Sequence, residues 1–441
     1  IKKAIKICKK EIETIISNPE TPSFKNTTEA LEFTGQKLGR ITSIFFNLNS
    51  AETSEAIQKI AQEISPWLSE FKNDMILNSA LFIKVKSVYD IRETLNLDPE
   101  QSMLLEKQYK GFSRNGANLN DEDKEKLRKI DTELSRLSLQ FGENVLADGN
   151  AFELHITHEK DLKGLPDGAK EAASLLAKNR NKEGWLITLD YPSYIPFVTY
   201  AENRELRKKI SIAFGKKGFQ NNENNNEKIV LNIVNSRHQR ANLLGYETHA
   251  HFVLEERMAE TPEKVLSFSN DLLRKAKPAA LREFKKLESF AKKLDGIDQL
   301  QKWDSAFYSE ILKKEIFNLD QEILKPYFQL ENVIKGAFTV SKRLFNLTFE
   351  EVFTIEKYHE DVKTYHVKNT KGEFIAILYA DFHPREGKRN GAWMTSYKSQ
   401  QIKNNSNERP HISIVCNFTK PTETKPSLLT FNEVTTLFHE F

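Results

Sequence analysis

Apolar residues recur through most of the chain at spacings of three and four residues, which is typical of one buried face of an α-helix. In the stretch 121–147, for example, Leu127, Ile130, Leu134 and Leu137 follow this spacing. The predicted helices are 1–18, 26–46, 52–77 with a kink at Pro66, 79–95, 98–113, 121–147, 168–178, 203–215, 224–244, 246–257, 262–294 with an interruption at Pro278, 304–316 and 330–346.

Short strand-like segments interrupt the helices in two places. The first place contains the segments 152–156 and 185–189. After about residue 349, the segments 361–368 and 373–381 flank a turn and predict a β-hairpin, and 411–418 predicts a third strand. The predicted fold class is therefore mainly α, with a small β-sheet placed before the final helix.

The segment 411–418 follows Pro410, which has no backbone N–H to donate to a neighbouring strand. Proline is mostly confined to edge strands, to the first residue of a strand or to bulges. We therefore predict that this strand lies at an edge of the sheet. An edge strand can pair with a further extended chain, main chain to main chain, whereas the alternative, an interior strand, cannot.

The final helix begins with Thr430 and Glu433, whose separation of three residues is typical of a capping box. His439 and Glu440 are predicted to lie on the polar side of this helix, near the edge of its apolar stripe. The residues of that predicted stripe are Val434, Leu437, Phe438 and Phe441.

Composition and charge narrow the range of functions. The 441 residues include 65 Lys and Arg against 62 Asp and Glu, a net charge of +3, and neither half carries a long tract of one sign. Nucleic-acid binding would need a basic stripe, so no nucleic-acid partner is predicted. No run of about 18 consecutive apolar residues is present, and no membrane span is predicted.

The two cysteines, Cys8 and Cys416, each lie in an apolar setting and are predicted to be buried free thiols. This fits a reducing compartment, and we expect the cytoplasm, with the periplasm as the open alternative. The chain begins at Ile1 in helical register and stops at Phe441 inside another helical pattern. We therefore expect it to be a fragment of a longer protein.

The dipeptide His-Glu is the first candidate for metal chemistry. A zinc peptidase of the H-E-x-x-H class needs a second His four residues after the first, so that both imidazoles share one helix face. That position is Leu162 after the pair at 158–159, and Lys363 after the pair at 359–360, so neither pair fits. After the pair His439–Glu440 the given sequence ends at Phe441, before the position that the second His would occupy, so this pair cannot be tested. From the residues alone it is either a zinc-site pair or an ordinary helix-surface histidine.

Other candidate chemistries fit less well. His249 and His251 are two residues apart, which points them to different sides of a helix. Arg385, Lys388 and Arg389 lie in a predicted loop and would suit a substrate carboxylate, but we expect them to be solvated loop charges. No substrate-binding residue is assigned.

Several ordered motifs between Leu378 and Phe441 resemble a known family, the zinc oligopeptidases that include thimet oligopeptidase, neurolysin, oligopeptidase A and bacterial peptidyl-dipeptidase. Weaker similarity to the bacterial members extends upstream. The motifs are YADFHPREGKRNGAW (379–393), CNFTKP (416–421), PSLL (426–429) and EVTTLFHEF (433–441), with SRHQRANLLGY (236–246), EERMA (255–259) and FFNLNSA (45–51) upstream.

The resemblance implies a neurolysin-like fold of two mostly helical halves around a deep channel, which admits short unfolded peptides. It implies an N-terminal helical region with a short β patch over 1–200, and the start of the peptidase catalytic domain over 201–441. His439 would be the first zinc ligand and Glu440 the general base. The second His, the glutamate ligand, and the tyrosine and histidine that assist the reaction would lie past Phe441.

The expected function of the parent protein is zinc-dependent hydrolysis of short peptides by a monomer, as a peptidyl-dipeptidase or an oligopeptidase. A catalytic zinc site normally has three protein ligands. We therefore expect this chain by itself to bind no stoichiometric zinc and to cleave nothing. The alternative from another class is a non-enzymatic helical scaffold that binds peptides or a protein partner.

Overall fold

The computed structural model describes residues 1–403 and 405–441. Most of its regular structure is helical. The α-helices are α1 (Lys2–Ser17), α2 (Ala30–Glu32), α3 (Gln36–Ala51), α4 (Glu55–Ile76), α5 (Ser79–Asp90), α6 (Pro99–Ser113), α7 (Asp121–Ala151), α8 (Asp167–Asn179), α9 (Tyr191–Tyr200), α10 (Arg204–Gly215), α11 (Glu227–Leu243), α12 (His249–Leu254), α13 (Pro262–Asp295), α14 (Lys302–Phe317), α15 (Gln321–Leu324), α16 (Leu330–Phe345) and α17 (Phe431–Glu440).

Short strands form three separate sheets. The strands are β1 (Leu154–Ile156), β2 (Trp185–Ile187), β3 (Thr348–Glu351), β4 (Lys363–Lys368), β5 (Phe374–Asp381), β6 (Trp393–Lys398), β7 (Gln401–Lys403), β8 (Ser406–Glu408) and β9 (His411–Val415). β1 pairs with β2 and β7 with β8, while the five-stranded sheet has the order β3-β4-β5-β9-β6. The mainly α fold with a small sheet before the last helix is confirmed.

Two helical predictions need correction, and one helix was not predicted. The predicted helix 26–46 is broken at Gly35, whose φ of +67° ends the helical path and separates α2 from α3. Pro278 does not interrupt α13, which continues through it. Helix α9 was not predicted, and it forms although it contains two prolines. One of them lies in the first turn, where the missing N–H is not needed.

The chain folds into two compact units. Unit 1 comprises Ile1–Phe46, Ser54–Glu143 and Asn226–Leu272. Its core packs α1, α4, α5 and α6 together and includes Cys8, Leu81 and Val85, all of them buried. Burial raises the pKa of the Cys8 thiol to about 11, which keeps it in the neutral form.

Unit 2 comprises Asn47–Thr53, Asn144–Asn225 and Leu273–Phe441. It contains all three sheets and the final helix. One of its cores fills the space between the five-stranded sheet and the helices α16 and α17, with Ile334, Leu378, Ile414 and Leu437 at its centre. The predicted division of the chain at residue 200 stays a prediction.

The predicted edge position of the strand 411–418 is wrong. β9 lies inside the sheet, parallel to β5 on one side and antiparallel to β6 on the other. Pro410 lies before the first residue of the strand, a position that proline tolerates, and its carbonyl accepts a hydrogen bond from the backbone N–H of Ile377 (3.0 Å). The edge strand on this side is β6, in a stretch for which no strand was predicted.

The predicted free thiols are confirmed, because Cys8 and Cys416 are both buried and unbridged. Among the described residues, no helix combines the length and the apolar character that crossing a bilayer requires.

Candidate active site

Helix α17 carries the His-Glu pair, and its start is fixed by the predicted capping box. The Thr430 hydroxyl accepts from the backbone N–H of Glu433 (3.2 Å), and the Glu433 carboxylate accepts from the backbone N–H of Thr430 (2.7 Å). The other carboxylate oxygen of Glu433 accepts from the backbone N–H of Thr419 (2.6 Å), in the loop that follows β9. One side chain therefore joins the loop that follows β9 to the start of the helix.

The apolar stripe of α17 is confirmed in part. Leu437 is buried in the core beneath the sheet, and Val434 packs against that core. The Phe441 ring lies against the rings of Phe338 and Phe349, with centroids 5.7 and 5.4 Å apart. Phe438 and Phe441 differ from the prediction of a buried stripe, because 43% and 39% of them, respectively, are exposed.

His439 and Glu440 occupy the last turn of α17. His439 is exposed and Glu440 is half-buried. Burial, followed by the charges of Glu440 and Asp381, raises the pKa of Cys416 to about 12, although Lys388 opposes this. Cys416 and Leu437 belong to the same core, so α17 packs beside the residue that follows β9.

The donor chemistry of this turn fits a part of a zinc site, since an imidazole is a common zinc ligand and an adjacent carboxylate can act as a base. Within residues 1–403 and 405–441, no group of three or more His, Cys, Asp or Glu side chains is placed to hold a metal ion. The described residues therefore supply one candidate ligand and not a complete set.

The loop charges at 385 and 388 are not solvated, which corrects the sequence analysis. Asp381, at the end of β5, is fully buried, and so is the side chain of Lys388, whose Nζ lies 2.7 Å from a carboxylate oxygen of Asp381. Arg385 donates to both oxygens of Asp381 at 2.8 and 2.6 Å and also pairs with Glu52. The Tyr358 hydroxyl donates to the same carboxylate at 2.7 Å. We call these five residues the Asp381 cluster.

The protonation of the Asp381 cluster follows from burial and pairing. Burial by itself would raise the pKa of Asp381, but the hydrogen bond from Arg385 and the charge of Lys388 outweigh it and hold that pKa below its ordinary value. For Lys388 burial dominates and lowers the pKa to about 8, although the Asp381 charge opposes it. Burial and the neighbouring Asp381 charge raise the pKa of Tyr358, which stays a neutral donor.

The loop 382–391, which carries two members of the cluster, is fixed against the segment 47–53. The backbone N–H of Thr53 donates to the carbonyl of Gly387 (2.7 Å), and the backbone N–H of Arg389 donates to the carbonyl of Ser50 (2.9 Å). A Cβ at Gly387 would lie 2.5 Å from the carbonyl oxygen of Thr53. Only glycine allows this close approach without displacement of the backbone.

Sequence reasoning missed both the Asp381 cluster and the edge strand β6. A signal for the cluster was available, since an Asp that ends a buried strand and is followed by Arg and Lys four and seven residues later suggests a buried ion pair. For β6 the signal was the alternation of the aromatic residues Trp393 and Tyr397 with Thr395 between them, which is typical of one face of a strand.

Comparison with known proteins gives consistent matches. The sequence profile of peptidase family M3 matches residues 197–441. Dipeptidyl carboxypeptidase of Escherichia coli (strain K12) is 36% identical over 433 residues, which cover 98% of this chain and 63% of that protein. Oligopeptidase A of the same organism is 33% identical over 446 residues, which cover 100% of this chain and 66% of that protein. The chain thus spans 63% and 66% of the lengths of these two relatives.

One solved structure supports the fold. PZ peptidase A, solved with an inhibitor, matches 100% of this chain and 61% of its own, with a TM-score of 0.50 and 16% sequence identity. At this level of identity the match concerns the fold alone, and it agrees with the predicted multi-helical class.

Proposed function

This chain belongs to peptidase family M3, and we propose that the protein containing it hydrolyses peptide bonds in short unfolded peptides, with zinc as cofactor. The cleavage would be that of an oligopeptidase or of a peptidyl-dipeptidase, the two activities named for its relatives. The observation that carries the proposal is the His439–Glu440 pair, which ends a capped helix that follows the sheet within the matched residues.

In the proposed site, His439 would hold the zinc ion through its imidazole together with ligands from outside the described residues. When bound, zinc would polarise the scissile carbonyl and acidify the attacking water. Glu440 would accept the proton of that water and deliver it to the leaving amine. The capping box and the burial of Leu437 fix the helix from which both side chains project.

Peptide binding is proposed at β6 rather than at β9. Among the described residues, β6 pairs with β9 on one side and with no strand on the other. An extended peptide could therefore add to its outer edge through main-chain hydrogen bonds, which tolerate many side chains. This proposal keeps the binding mode inferred from the sequence and moves it to the neighbouring strand.

The remaining parts of the functional picture are also proposals. Residues 201–441 would form the start of the catalytic domain. Residues 1–200, with the β1–β2 patch, would form an N-terminal region that helps to exclude folded proteins from a deep channel. We further propose a monomer in the cytoplasm, without nucleic-acid or membrane partners.

The test uses the protein encoded by the reading frame extended past Phe441, assayed with internally quenched peptides. Glu440→Gln should lower kcat by about 10²–10⁴-fold, because it removes the general base. Zinc content should stay near that of the wild type in this variant and should fall in His439→Ala. Glu360→Gln is the matched control, because it alters a His-Glu pair outside α17 and should leave activity unchanged.

Two results would contradict the proposal. Peptide hydrolysis that survives Glu440→Gln would remove Glu440 from the mechanism. Peptide binding without hydrolysis, in a protein whose sequence lacks a second His one helical turn after His439, would favour the scaffold function instead.

A further inference from the structure

Asn47 lies directly behind the edge strand β6. It belongs to α3, within the short segment Asn47–Thr53 that folds into the same compact unit as the sheet. The residue is 4% exposed, so its amide has to find its hydrogen bonds within the protein.

The Asn47 side chain contacts three residues of β6. Its carbonyl oxygen accepts from Trp393 Nε1 (3.1 Å) and from the Thr395 hydroxyl (3.0 Å). Its amide nitrogen donates to the Tyr397 hydroxyl. Trp393 and Thr395 are alternate residues that point to one side of the strand, and Tyr397 lies at the β-bulge between Ser396 and Lys398, so a single amide contacts both the regular part of β6 and its bulge.

The opposite side of the sheet is the apolar side. Ile412 and Ile414, which lie opposite Ser396 and Met394 in the β6–β9 register, belong to the core or pack against it beneath α16 and α17. β6 is thus fixed by the β9 ladder along one edge and by Asn47 on its polar face. Its outer edge stays available for pairing among the described residues.

We propose that Asn47 is a positioning residue for peptide binding, which holds β6 extended and in register so that its outer edge can pair with a substrate main chain. This inference rests on the proposed function and deepens it. It gives a segment of the N-terminal part of the chain a role in substrate binding.

The physical basis is the geometry of a β ladder. A peptide gains a series of main-chain hydrogen bonds only if the donors and acceptors of the strand stay aligned over several residues. An edge strand with one partner can twist or fray more easily than an interior strand. Three side-chain hydrogen bonds to one buried amide restrict this motion over residues 393–397.

Asn47→Ala should therefore weaken peptide binding more than chemistry. In the protein extended past Phe441, we expect KM to rise about tenfold, because buried donors lose their partner and the strand loses its alignment. We expect kcat to stay within about twofold, since binding that is equal in the ground state and the transition state affects KM alone. Amide hydrogen exchange of residues 393–398 should become faster, which is a readout independent of activity.

Asn49→Ala is the matched control. Asn49 is also buried, at 3% exposure, and lies in the same segment, but its side-chain oxygen accepts from the Thr53 hydroxyl within that segment (3.1 Å). This variant should lose comparable stability, while KM and the exchange of residues 393–398 stay at wild-type values. Thr395→Val removes one of the three hydrogen bonds and should give a smaller rise in KM, which keeps a test available if Asn47→Ala fails to fold.

The outcomes separate this inference from the proposed function. If the wild-type protein cleaves peptides in a manner that depends on Glu440, yet Asn47→Ala changes neither KM nor exchange in β6, the role of Asn47 is refuted and the peptidase stands. If exchange in β6 accelerates while KM does not change, Asn47 supports the strand but the peptide binds elsewhere, which also refutes the inference. If the wild type cleaves nothing, the proposed function is refuted, and the role of Asn47 in substrate binding is refuted with it.

Discussion

At the scale of single residues, the Asp381 cluster places a lysine and an aspartate side chain in contact with each other and out of contact with solvent. A charged residue in a loop of mixed polarity is normally exposed, and no periodicity in the loop indicates otherwise. Burial of Lys388 depends on Asp381, which reaches it through the fold of the loop and not through a helical or strand repeat. Pairings of this kind follow from tertiary structure, so sequence spacing can suggest them but not establish them.

Asp381→Asn tests the energetic role of this cluster. The substitution leaves the buried Lys388 without its counter-charge, and the loss of one partner of a buried ion pair costs about 3–5 kcal/mol. Urea unfolding at neutral pH should show this decrease in the free energy of unfolding. Glu350→Gln breaks an exposed pair with Lys368 in the same unit and should have little effect. Equal losses in the two variants would contradict the structural role of Asp381.

The pH dependence of the same variant has a definite sign. Because the pKa of Asp381 is lowered from its ordinary value of 3.8, its contribution to stability is complete above that value and is lost as the pH falls through the folded-state pKa. In acid, where Lys388 is protonated, the difference in unfolding free energy between the wild type and Asp381→Asn should thus shrink below about pH 3.8. A difference that stays constant into this acidic range would contradict the pairing.

At the scale of elements, the helices were predicted well because each one buries one face, and the apolar residues of that face recur every three or four positions in the sequence. The exceptions are informative. Gly35 breaks a helix through a positive φ, which local pattern does not reveal, and α9 forms despite its two prolines. The order of the strands was not predictable, because β7 and β8 lie between β6 and β9 along the chain, and apolar patterns do not show which strands pair.

Gly387→Ala tests the packing of the loop against the segment 47–53. The new Cβ would lie 2.5 Å from the Thr53 carbonyl oxygen, which is backbone and cannot turn away as a side chain could. We expect the free energy of unfolding to fall by about 1–3 kcal/mol. Gly168→Ala in α8 of the same unit meets no atom within 4 Å and should be neutral or slightly stabilising, as alanine favours helix. A neutral Gly387→Ala would show that the loop can move.

At the scale of the whole molecule, sequence motifs were more informative than periodicity. The zinc ligand and the base at 439–440 were assigned through the resemblance, and both assignments stay predictions. The family itself is established by the profile match over 197–441. What neither motif nor pattern indicated is that residues 47–53, early in the chain, fold into the unit that contains the sheet and the final helix.

Many apolar side chains of this chain are exposed to solvent. On α13, Leu266, Phe268 and Leu272 are between 55% and 71% exposed, and Phe317 is 70% exposed. Exposed apolar residues of this size and number commonly mark surfaces that bind another part of a protein.

Zinc content compared between two chain lengths tests the assembly of the site. One imidazole does not hold zinc tightly, and within residues 1–403 and 405–441 no cluster of three ligands is present, so the 441-residue chain should retain well under one zinc per chain after dialysis. The protein extended past Phe441 should retain about one, and a chelator should abolish its peptidase activity. In that longer protein His439→Ala should lose the zinc, whereas Glu440→Gln should keep it. One tightly held zinc in the 441-residue chain, retained after His439→Ala, would show that the metal binds elsewhere.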